Sequence, residues 1–333
     1  MKNFMILSVA AMMAALAVSC QKAEPLAETD AANAAVTRAY NMTPKITIYV
    51  ETNDVNPLNA GDYLLSDGTP YASIVELFAS NIHKEIVGGI VRPTLYLNDK
   101  MTNLLENGGT EKYIKPLQDK GIKVLLTVLG DWAGIGLANM NDTQAEQFAK
   151  ILAYAVEKYG LDGIGFDDEY ANYSSSLVSG SFGNIITKLR GLMPADKLIT
   201  VFEWGNVGSS QINATAGALI DYVYTNFSAY DTYIGVAGVT KERFAPESIN
   251  LGGIFSASQI RNYGNAAYDV AENGYGAIMH FNLRTKSDRD PLKLFNAIAD
   301  GAYGETVTCE NGNRPQDWTF VPGGFTISID DVQ

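Results

Sequence analysis

Histidine and cysteine are scarce in this chain, and their scarcity excludes several kinds of chemistry. The 333 residues include two histidines, His83 and His280, and two cysteines, Cys20 and Cys309. Two cysteines cannot form a disulfide framework or an all-cysteine zinc site. Two histidines leave little material for a Ser-His-Asp triad or a multi-histidine metal centre. We therefore expect no metal and no cofactor, and chemistry that depends on carboxylates, amides and aromatic side chains.

Basic residues are also in deficit, which bears on the partners of the protein. The chain has 24 Lys and Arg against 37 Asp and Glu, a formal net charge of −13 and a pI near 4.6. An acidic surface repels phosphate backbones, so we expect no nucleic-acid partner.

The N-terminal segment has the pattern of an export signal. Lys2 provides a positive start, and the apolar run at 4–18 is too short for a comfortable transmembrane helix. Small residues then precede Cys20, an ending that resembles a bacterial lipobox. This resemblance implies that 1–20 is a signal peptide and that Cys20 becomes a lipidated N-terminus; an ordinary signal peptide cut nearby is the alternative. Residues 21–43 are rich in Ala, Thr and Glu and indicate a flexible tether.

These features predict where the protein resides. We expect an exported bacterial lipoprotein of the outer membrane or cell surface, with the periplasm as the alternative. Contact with the membrane would then be made only through the lipid anchor on Cys20.

The body of the chain alternates short apolar runs with segments of helical length. Near-continuous apolar runs suit parallel strands that are buried on both faces. Eight such runs lie at 46–51, 74–82, 123–129, 163–169, 198–204, 221–227, 250–255 and 276–283. The clearest helices lie at 143–159, 181–193 and 258–273.

The alternation predicts an α/β fold, a (β/α)₈ TIM barrel over 44–306. The connections after strands five and six look too short, or too rich in Gly and Ala, for full helices, so we expect reduced outer helices there. Residues 307–333 are predicted to form a C-terminal appendage on the barrel.

The sharpest local pattern is the sequence DGIGFDDEY at 162–170. Alternate side chains of a strand share a face, so Asp167 and Glu169 are expected to point into the barrel with Gly165, and Asp168 to point away. Such barrels place their chemistry at the C-terminal ends of the strands. Because two carboxylates this close cannot both ionise easily, one should keep its proton towards neutral pH and serve as a general acid.

This segment resembles the Asp-Gly-x-Asp-x-Asp-x-Glu signature of glycoside hydrolase family 18. Its DDEY ending is similar to the branch of endoglycosidase H and the F-type endo-β-N-acetylglucosaminidases. Segments at 114–118, 121–130, 158–163 and 274–276 match in the same order, so the resemblance spans roughly 45–307. It implies an enzyme that hydrolyses the β-1,4 bond between the two core GlcNAc residues of N-linked glycans or glycoproteins. The glycan class stays open, and we expect a monomer.

The resemblance also implies substrate-assisted catalysis with retention of configuration. Glu169 would protonate the departing oxygen and later activate water, while Asp167 would hold the acetamido N–H of the sugar. Two positions depart from the family pattern: Gly165 replaces the middle acid of the signature, and Phe227 replaces a tyrosine at the end of strand six. They leave open an alternative, a catalytically weak or inactive glycan-binding surface lipoprotein.

Further candidates for substrate contact lie near the expected strand ends. Trp132 is suited to stack on a sugar ring, with a role as a loop anchor as the alternative. Glu203 is suited to bond a sugar hydroxyl, with a structural salt bridge as the alternative. The remaining candidates are Tyr170, Trp204, Asn226, Phe227, Tyr230, Phe281 and Asn282.

Overall fold

The computed structural model describes residues 42–106, 108–173, 177–203, 208–226, 230–317 and 322–332. The strands in these residues are β1 (Lys45–Glu51), β2 (Tyr63–Leu65), β3 (Ile74–Val87), β4 (Ile90–Leu97), β5 (Lys123–Leu129), β6 (Gly163–Asp167), β7 (Leu198–Phe202), β8 (Tyr222–Tyr224), β9 (Phe244–Ala245), β10 (Ser248–Asn250), β11 (Ala277–Phe281), β12 (Val307–Cys309) and β13 (Phe325–Ile327). The α-helices are α1 (Asp99–Leu105), α2 (Lys115–Asp119), α3 (Asp142–Lys158), α4 (Ser181–Leu192), α5 (Ala214–Gly217), α6 (Ala257–Glu272) and α7 (Leu292–Tyr303).

A mostly parallel sheet curls into a nearly closed barrel with eight strand positions. Strands β1, β3, β5, β6, β7 and β8 pair in parallel in that order, and β11 pairs with β1. The short strands β9 and β10 together occupy the seventh position, since β9 pairs with β8 and β10 with β11. The predicted (β/α)₈ architecture is therefore confirmed.

The position of the seventh strand was predicted wrongly. The expected run at 250–255 begins where β10 ends, at Asn250, and the strand pieces lie upstream at Phe244–Ala245 and Ser248–Asn250. Pro246 and Glu247 interrupt the apolar pattern there, so the sequence shows no continuous run.

Alternating side chains of β1 show how the barrel separates two cores. Ile46, Ile48 and Val50 are fully buried in the large core between strands and helices. Tyr49 points the other way, into an interior cluster that also contains Phe202 and Met279. This interior cluster forms the floor on which the functional site is built.

Helix α3 illustrates how the outer layer follows from local sequence. The Asn141 side chain accepts a hydrogen bond from the Gln144 backbone N–H, and the Gln144 side chain accepts one from the Asn141 backbone N–H, so a capping box fixes the N-terminus of the helix. The helix ends before Gly160, whose φ of 62° suits a residue without a side chain. The expected reduction after strands five and six is also found, because α5 has four residues and a 3₁₀ turn, Lys241–Arg243, follows β8.

The connection after the second barrel strand holds a β-hairpin followed by two short helices, α1 and α2. Strand β3 continues past the predicted end at 82 and turns at Gly88 and Gly89 into the antiparallel β4. Both glycines have positive φ, as a tight hairpin turn requires. Strand β4 lies against α3, where the Gln144 side chain donates to the Val91 carbonyl at 3.0 Å. The hairpin is thus docked on a helix of the outer layer.

The C-terminal segment is attached to the barrel by strand pairing and by an ion pair. β12 pairs with β2, and β13 pairs with β4. Arg314 forms a forked pair with the buried Asp62, with nitrogen–oxygen distances of 2.7 and 2.9 Å. The exact division at 44–306 and 307–333 stays a prediction.

The predicted signal peptide at 1–20, its Cys20, and 21–41 of the predicted tether at 21–43 lie outside the described residues. In the described part of the chain, no helix combines the length and apolar character needed to cross a membrane.

Candidate active site

A cavity of about 360 Å³ opens at the C-terminal ends of the barrel strands. Its size falls in the range of about 300–1,000 Å³ that is typical of small-molecule sites. Its lining combines carboxyl and amide groups with aromatic rings: Tyr49, Glu51, Phe78, Asp167, Glu169, Tyr170, Phe202, Asn250, Met279, Phe281 and Asn282. The arrangement offers apolar faces for a ring and polar groups for its substituents.

Strand β6 brings two carboxyl groups to this cavity. Asp167 is the last residue of β6, and Glu169 follows two residues later on the same side, so both side chains line the cavity. The Glu169 backbone N–H donates to Asp167 Oδ1 at 3.2 Å, which ties the two residues together. Phe166 points to the opposite face, where its ring packs edge-on against Phe182 at 5.3 Å.

The loop after β5 holds the main chain that carries Glu169. The Gly130 N–H donates to the Glu169 carbonyl at 3.1 Å, and the Trp132 N–H donates to the Tyr170 carbonyl at 2.9 Å. A Cβ on Gly130 would lie 2.4 Å from the Glu169 carbonyl oxygen, so a residue without a side chain is required here. Trp132 and Tyr170 both have left-handed backbones, with φ of 54° and 56°, a feature often found at functional sites.

The two carboxyl groups hold their protons more tightly than ordinary acids. Burial raises the pKa of Asp167 well above its usual range, and the negative charge of Glu169 adds to that effect. Burial also raises the pKa of Glu169, which is less enclosed. The more accessible Glu169 is thereby suited to donate a proton to a bound ligand.

Asp168 points away from the cavity and anchors two surrounding loops. It is 6% exposed, accepts a hydrogen bond from the Tyr173 hydroxyl, and lies against Gly208, where a Cβ would come within 2.0 Å of Asp168 Oδ2. Burial raises the pKa of Asp168 to about 7, although the bond from Tyr173 opposes that rise. The middle carboxyl group of the Asp-Asp-Glu run therefore stabilises the loops around the cavity.

A chain of polar contacts forms the wall opposite the carboxyl pair. The Asn282 amide donates to Asn250 Oδ1 at 3.1 Å, and Arg284 donates to Asn282 Oδ1 at 3.4 Å. Arg284 is fixed in turn by Asp54, at 3.1 Å. This wall can donate hydrogen bonds to the hydroxyl groups of a ligand. Among the described residues, no cluster of three or more His, Cys, Asp or Glu side chains is placed to hold a metal ion.

Comparison with known proteins identifies the family. No family model matches the chain. Endo-β-N-acetylglucosaminidase F1 of Elizabethkingia meningoseptica is 31% identical over 324 residues, which cover 90% of this chain and 92% of the relative. The chain belongs to the endo-β-N-acetylglucosaminidases of glycoside hydrolase family 18. It is a glycoside hydrolase, as the carboxyl pair and the signature at 162–170 indicate.

Two further similarities agree with this family. An endo-β-N-acetylglucosaminidase of Flavobacterium sp. is 31% identical over 274 residues, covering 80% of this chain and 82% of the relative. The crystal structure of EndoBT-3987 from Bacteroides thetaiotamicron, with a Man5GlcNAc product, matches with a TM-score of 0.66 and 28% identity, over 83% of this chain and 67% of its own. The same protein has been solved with a Man9GlcNAc2Asn substrate.

Four of the residues proposed for substrate contact lie at or beside the cavity of this family 18 enzyme. Tyr170, Phe281 and Asn282 line it. Trp132 lies beside it, 65% exposed, with its ring centroid 5.8 Å from that of Tyr170. Trp132 and Tyr170 thus form an aromatic rim at the mouth of the cavity.

Three other proposed residues lie outside the cavity lining. Glu203 accepts a hydrogen bond from Ser209 at 3.0 Å and packs against Gly235, and Asn226 is half-buried after β8. The structure places Tyr230 away from the cavity, contrary to the prediction. Its ring packs edge-on against Tyr275, 5.9 Å away, at the N-terminal end of β11. The two remaining candidates, Trp204 and Phe227, fall outside the described residues, as does Cys20.

Several residues of the cavity were not anticipated from the sequence. They are Tyr49, Glu51, Phe78, Phe202, Asn250 and Met279. Inward alternation on β1 could have signalled Tyr49 and Glu51, which end an apolar run with polar groups. Asn250 was hidden because the seventh strand was placed too late. A further polar group, Glu76, lies deeper in the barrel and gave no local signal, because its importance depends on residues of other strands.

Proposed function

We propose that this enzyme cleaves the β-1,4 bond between the two core GlcNAc residues of N-linked glycans by substrate-assisted, retaining catalysis. The observation that carries the proposal is the presence of Asp167 and Glu169 on the wall of one open cavity. The glycan ligands of EndoBT-3987, Man5GlcNAc and Man9GlcNAc2Asn, support the same substrate class.

Each carboxyl group takes a distinct role in this mechanism. The Glu169 carboxylic acid donates its proton to the glycosidic oxygen as the bond to the anomeric carbon breaks. The acetamido carbonyl oxygen of the same sugar bonds to that carbon and forms an oxazolinium ion, while the Asp167 carboxylate accepts a hydrogen bond from the acetamido N–H. Glu169, now a carboxylate, takes a proton from water, whose oxygen opens the oxazolinium ring and leaves the configuration retained.

The electrostatics at Glu169 suit its role as the proton donor. Because burial raises the pKa of Glu169, a larger fraction of it is protonated near neutral pH than of an ordinary glutamate. The substrate supplies its own nucleophile, so the enzyme gains rate chiefly by orienting the acetamido arm against the anomeric carbon.

Release of a glycan from a denatured high-mannose glycoprotein tests the proposal. We expect Glu169→Gln to lower kcat at least ~100-fold, because it removes the proton donor. Glu157→Gln, an exposed position on the last turn of α3, is the matched control and should retain wild-type activity. Product analysis by mass spectrometry should find one GlcNAc left on the protein. A wild-type enzyme that binds glycan without releasing any would favour the binding-protein alternative.

We further propose that the enzyme is a monomer attached to the bacterial envelope through lipid on Cys20. The small residues before Cys20, the apolar run at 4–18 and the composition of 21–43 support this proposal. Membrane fractionation of cells that express the full chain or its Cys20→Ser variant tests this proposal. Protease treatment of intact cells distinguishes a protein on the cell surface from one in the periplasm. Equal release of both proteins into the soluble fraction would refute the lipid anchor. Light scattering measures the molar mass in solution, and a mass above that of one chain would refute the monomer.

A further inference from the structure

The chain has a glycine, Gly165, where the family signature has its middle acid, and a carboxyl group from another strand fills the space beside it. Gly165 lies two residues before Asp167 on β6. A Cβ built on Gly165 would lie 2.2 Å from Glu76 Oε2 and 2.7 Å from Glu76 Cδ. The carboxyl group of Glu76, from β3, therefore occupies the space that a side chain at position 165 would take.

The neighbouring strands hold this carboxyl group in a fixed orientation. Thr127 of β5 and Thr200 of β7 both pair in register with Gly165, one on each side. Thr127 Oγ1 donates to Glu76 Oε2 at 3.0 Å, and Thr200 Oγ1 donates to Glu76 Oε1 at 2.5 Å. Glu76 thus reaches across β5 and is bonded at both oxygens directly in front of Gly165.

Tyr49 connects this buried carboxyl group with the cavity. Its ring lines the cavity together with Asp167, and Tyr49 pairs in register with Glu76 across β1 and β3. Burial raises the pKa of Tyr49 well above its usual range, and the charges of Glu76 and, more weakly, Asp167 contribute to that rise. The Tyr49 hydroxyl therefore lies within electrostatic reach of both carboxyl groups.

We propose that Glu76 is the positioning residue of this active site, a carboxyl group supplied by β3 in place of the signature's missing acid on β6. The proposal rests on the proposed function, since it assigns Glu76 the support of Asp167. Its carboxyl group, bonded by Thr127 and Thr200 in front of Gly165, stabilises the stretch of β6 that carries Asp167. By gaining or losing a proton it also changes the charge beside Tyr49, which lines the cavity together with Asp167.

The physical consequence follows from charge and burial. Glu76 is fully buried, and burial raises its pKa to about 7, so it carries a proton through much of the acidic range. The titratable groups that face Glu76 are the hydroxyls of Tyr49 from β1 and Tyr224 from β8. A neutral Glu76 places no charge beside them. An ionised Glu76 adds a negative charge beside Tyr49, which shares the cavity wall with Asp167, and so opposes the Asp167 carboxylate that holds the acetamido N–H.

Moving the carboxyl group between strands tests the proposal. Four variants are compared with wild type for kcat, KM and the pH profile of glycan release: Glu76→Gln, Glu76→Ala, Gly165→Asp, and the double variant Glu76→Ala with Gly165→Asp. We expect Glu76→Ala to lower kcat ~10- to 100-fold and to change KM by less than about threefold, because ground-state binding is unaffected. The double variant should recover at least ~10-fold of the lost kcat, since its new carboxyl group stands between Thr127 and Thr200.

The other variants separate positioning from simple stability. Glu76→Gln retains the shape but cannot ionise, so its kcat should fall less at high pH than that of wild type. Gly165→Asp alone should lose activity, because two carboxyl groups compete for one space. Glu247→Gln, a second buried glutamate that faces Tyr263 outside the cavity, is the matched control and should behave as wild type.

The outcomes distinguish the two hypotheses. An inactive wild-type protein would contradict the proposed function itself. An active wild type whose Glu76→Ala variant keeps kcat and pH profile would overturn only the role of Glu76. The role of Glu76 would also be overturned if the double variant folds, as judged by circular dichroism, but has a kcat no higher than that of Glu76→Ala.

Discussion

Replacing Glu76 by glutamine should change how the stability of the barrel depends on pH. Glu76 is fully buried, and its pKa of about 7 in the folded protein compares with an ordinary value of 4.5. Because the folded state holds this proton more tightly than the unfolded state, the favourable contribution is complete below pH 4.5 and is lost as the pH rises through about 7. Glutamine resembles the protonated form and cannot lose a proton, so it lacks this dependence.

The magnitude follows from the same two values. A difference between 4.5 and about 7 corresponds, at ~1.36 kcal/mol per pH unit, to about 3 kcal/mol in the free energy of unfolding. Wild type should therefore lose up to about 3 kcal/mol relative to Glu76→Gln as the pH is raised from about 4.5 to about 8. Asp167, Asp168 and Glu169 titrate in both proteins, so their own contributions cancel from the difference, which reports Glu76 together with its coupling to neighbouring groups.

Urea-induced unfolding, followed by circular dichroism at several pH values, measures this difference. Glu157→Gln, whose side chain is exposed, should follow wild type across the whole range. A gap between wild type and Glu76→Gln that stays constant with pH would show that Glu76 is not a buried acid with a raised pKa. A gap that changes in the opposite direction would show that its threonine partners favour the ionised form.

Two further changes test the rim and the loop anchor. Trp132→Ala should raise KM for a glycan about 2- to 12-fold with little change in kcat, the equivalent of a stacking contact of about 0.5–1.5 kcal/mol. The control Tyr268→Ala, which removes an exposed ring on α6, should leave KM unchanged. An unchanged KM for Trp132→Ala would show that the aromatic rim takes no part in substrate binding. Tyr173→Phe removes a hydroxyl donor from the buried Asp168 and should lower the free energy of unfolding by about 1–3 kcal/mol. The loss should be greater at pH 8 than at pH 5, because Asp168 carries a charge at pH 8. Tyr268→Phe serves as the control in urea unfolding, and an equal loss at both pH values would contradict the role assigned to Asp168.

Local sequence was sufficient to predict the barrel and its catalytic strand. Continuous apolar runs indicate strands covered on both sides, and the alternation at 162–170 places Asp167 and Glu169 on one face. The capping box of Asn141 and Gln144 likewise sets the start of α3 with residues of a single helical turn. Such features depend on neighbours within a few residues, which a single sequence shows directly.

Features that depend on distant residues were missed or misplaced. The hairpin after β3 is recognisable only once β4 is seen to lie against α3, and the seventh strand is split by Pro246 and Glu247. Tyr230 looked like a residue of the sixth strand end, yet its ring packs against Tyr275.

The sequence by itself determined the fold class, the family and the pair of acids, because strand periodicity and the signature at 162–170 are local. Only the tertiary structure decided what stands beneath that pair. Gly165 reads in the sequence as a lost acid, whereas in the folded barrel the carboxyl group of Glu76 fills the space in front of it. The physical reason is that strands β3, β5, β6 and β7 converge on one interior. A side chain there can be replaced by any residue whose atoms reach the same point, however far away it lies along the chain.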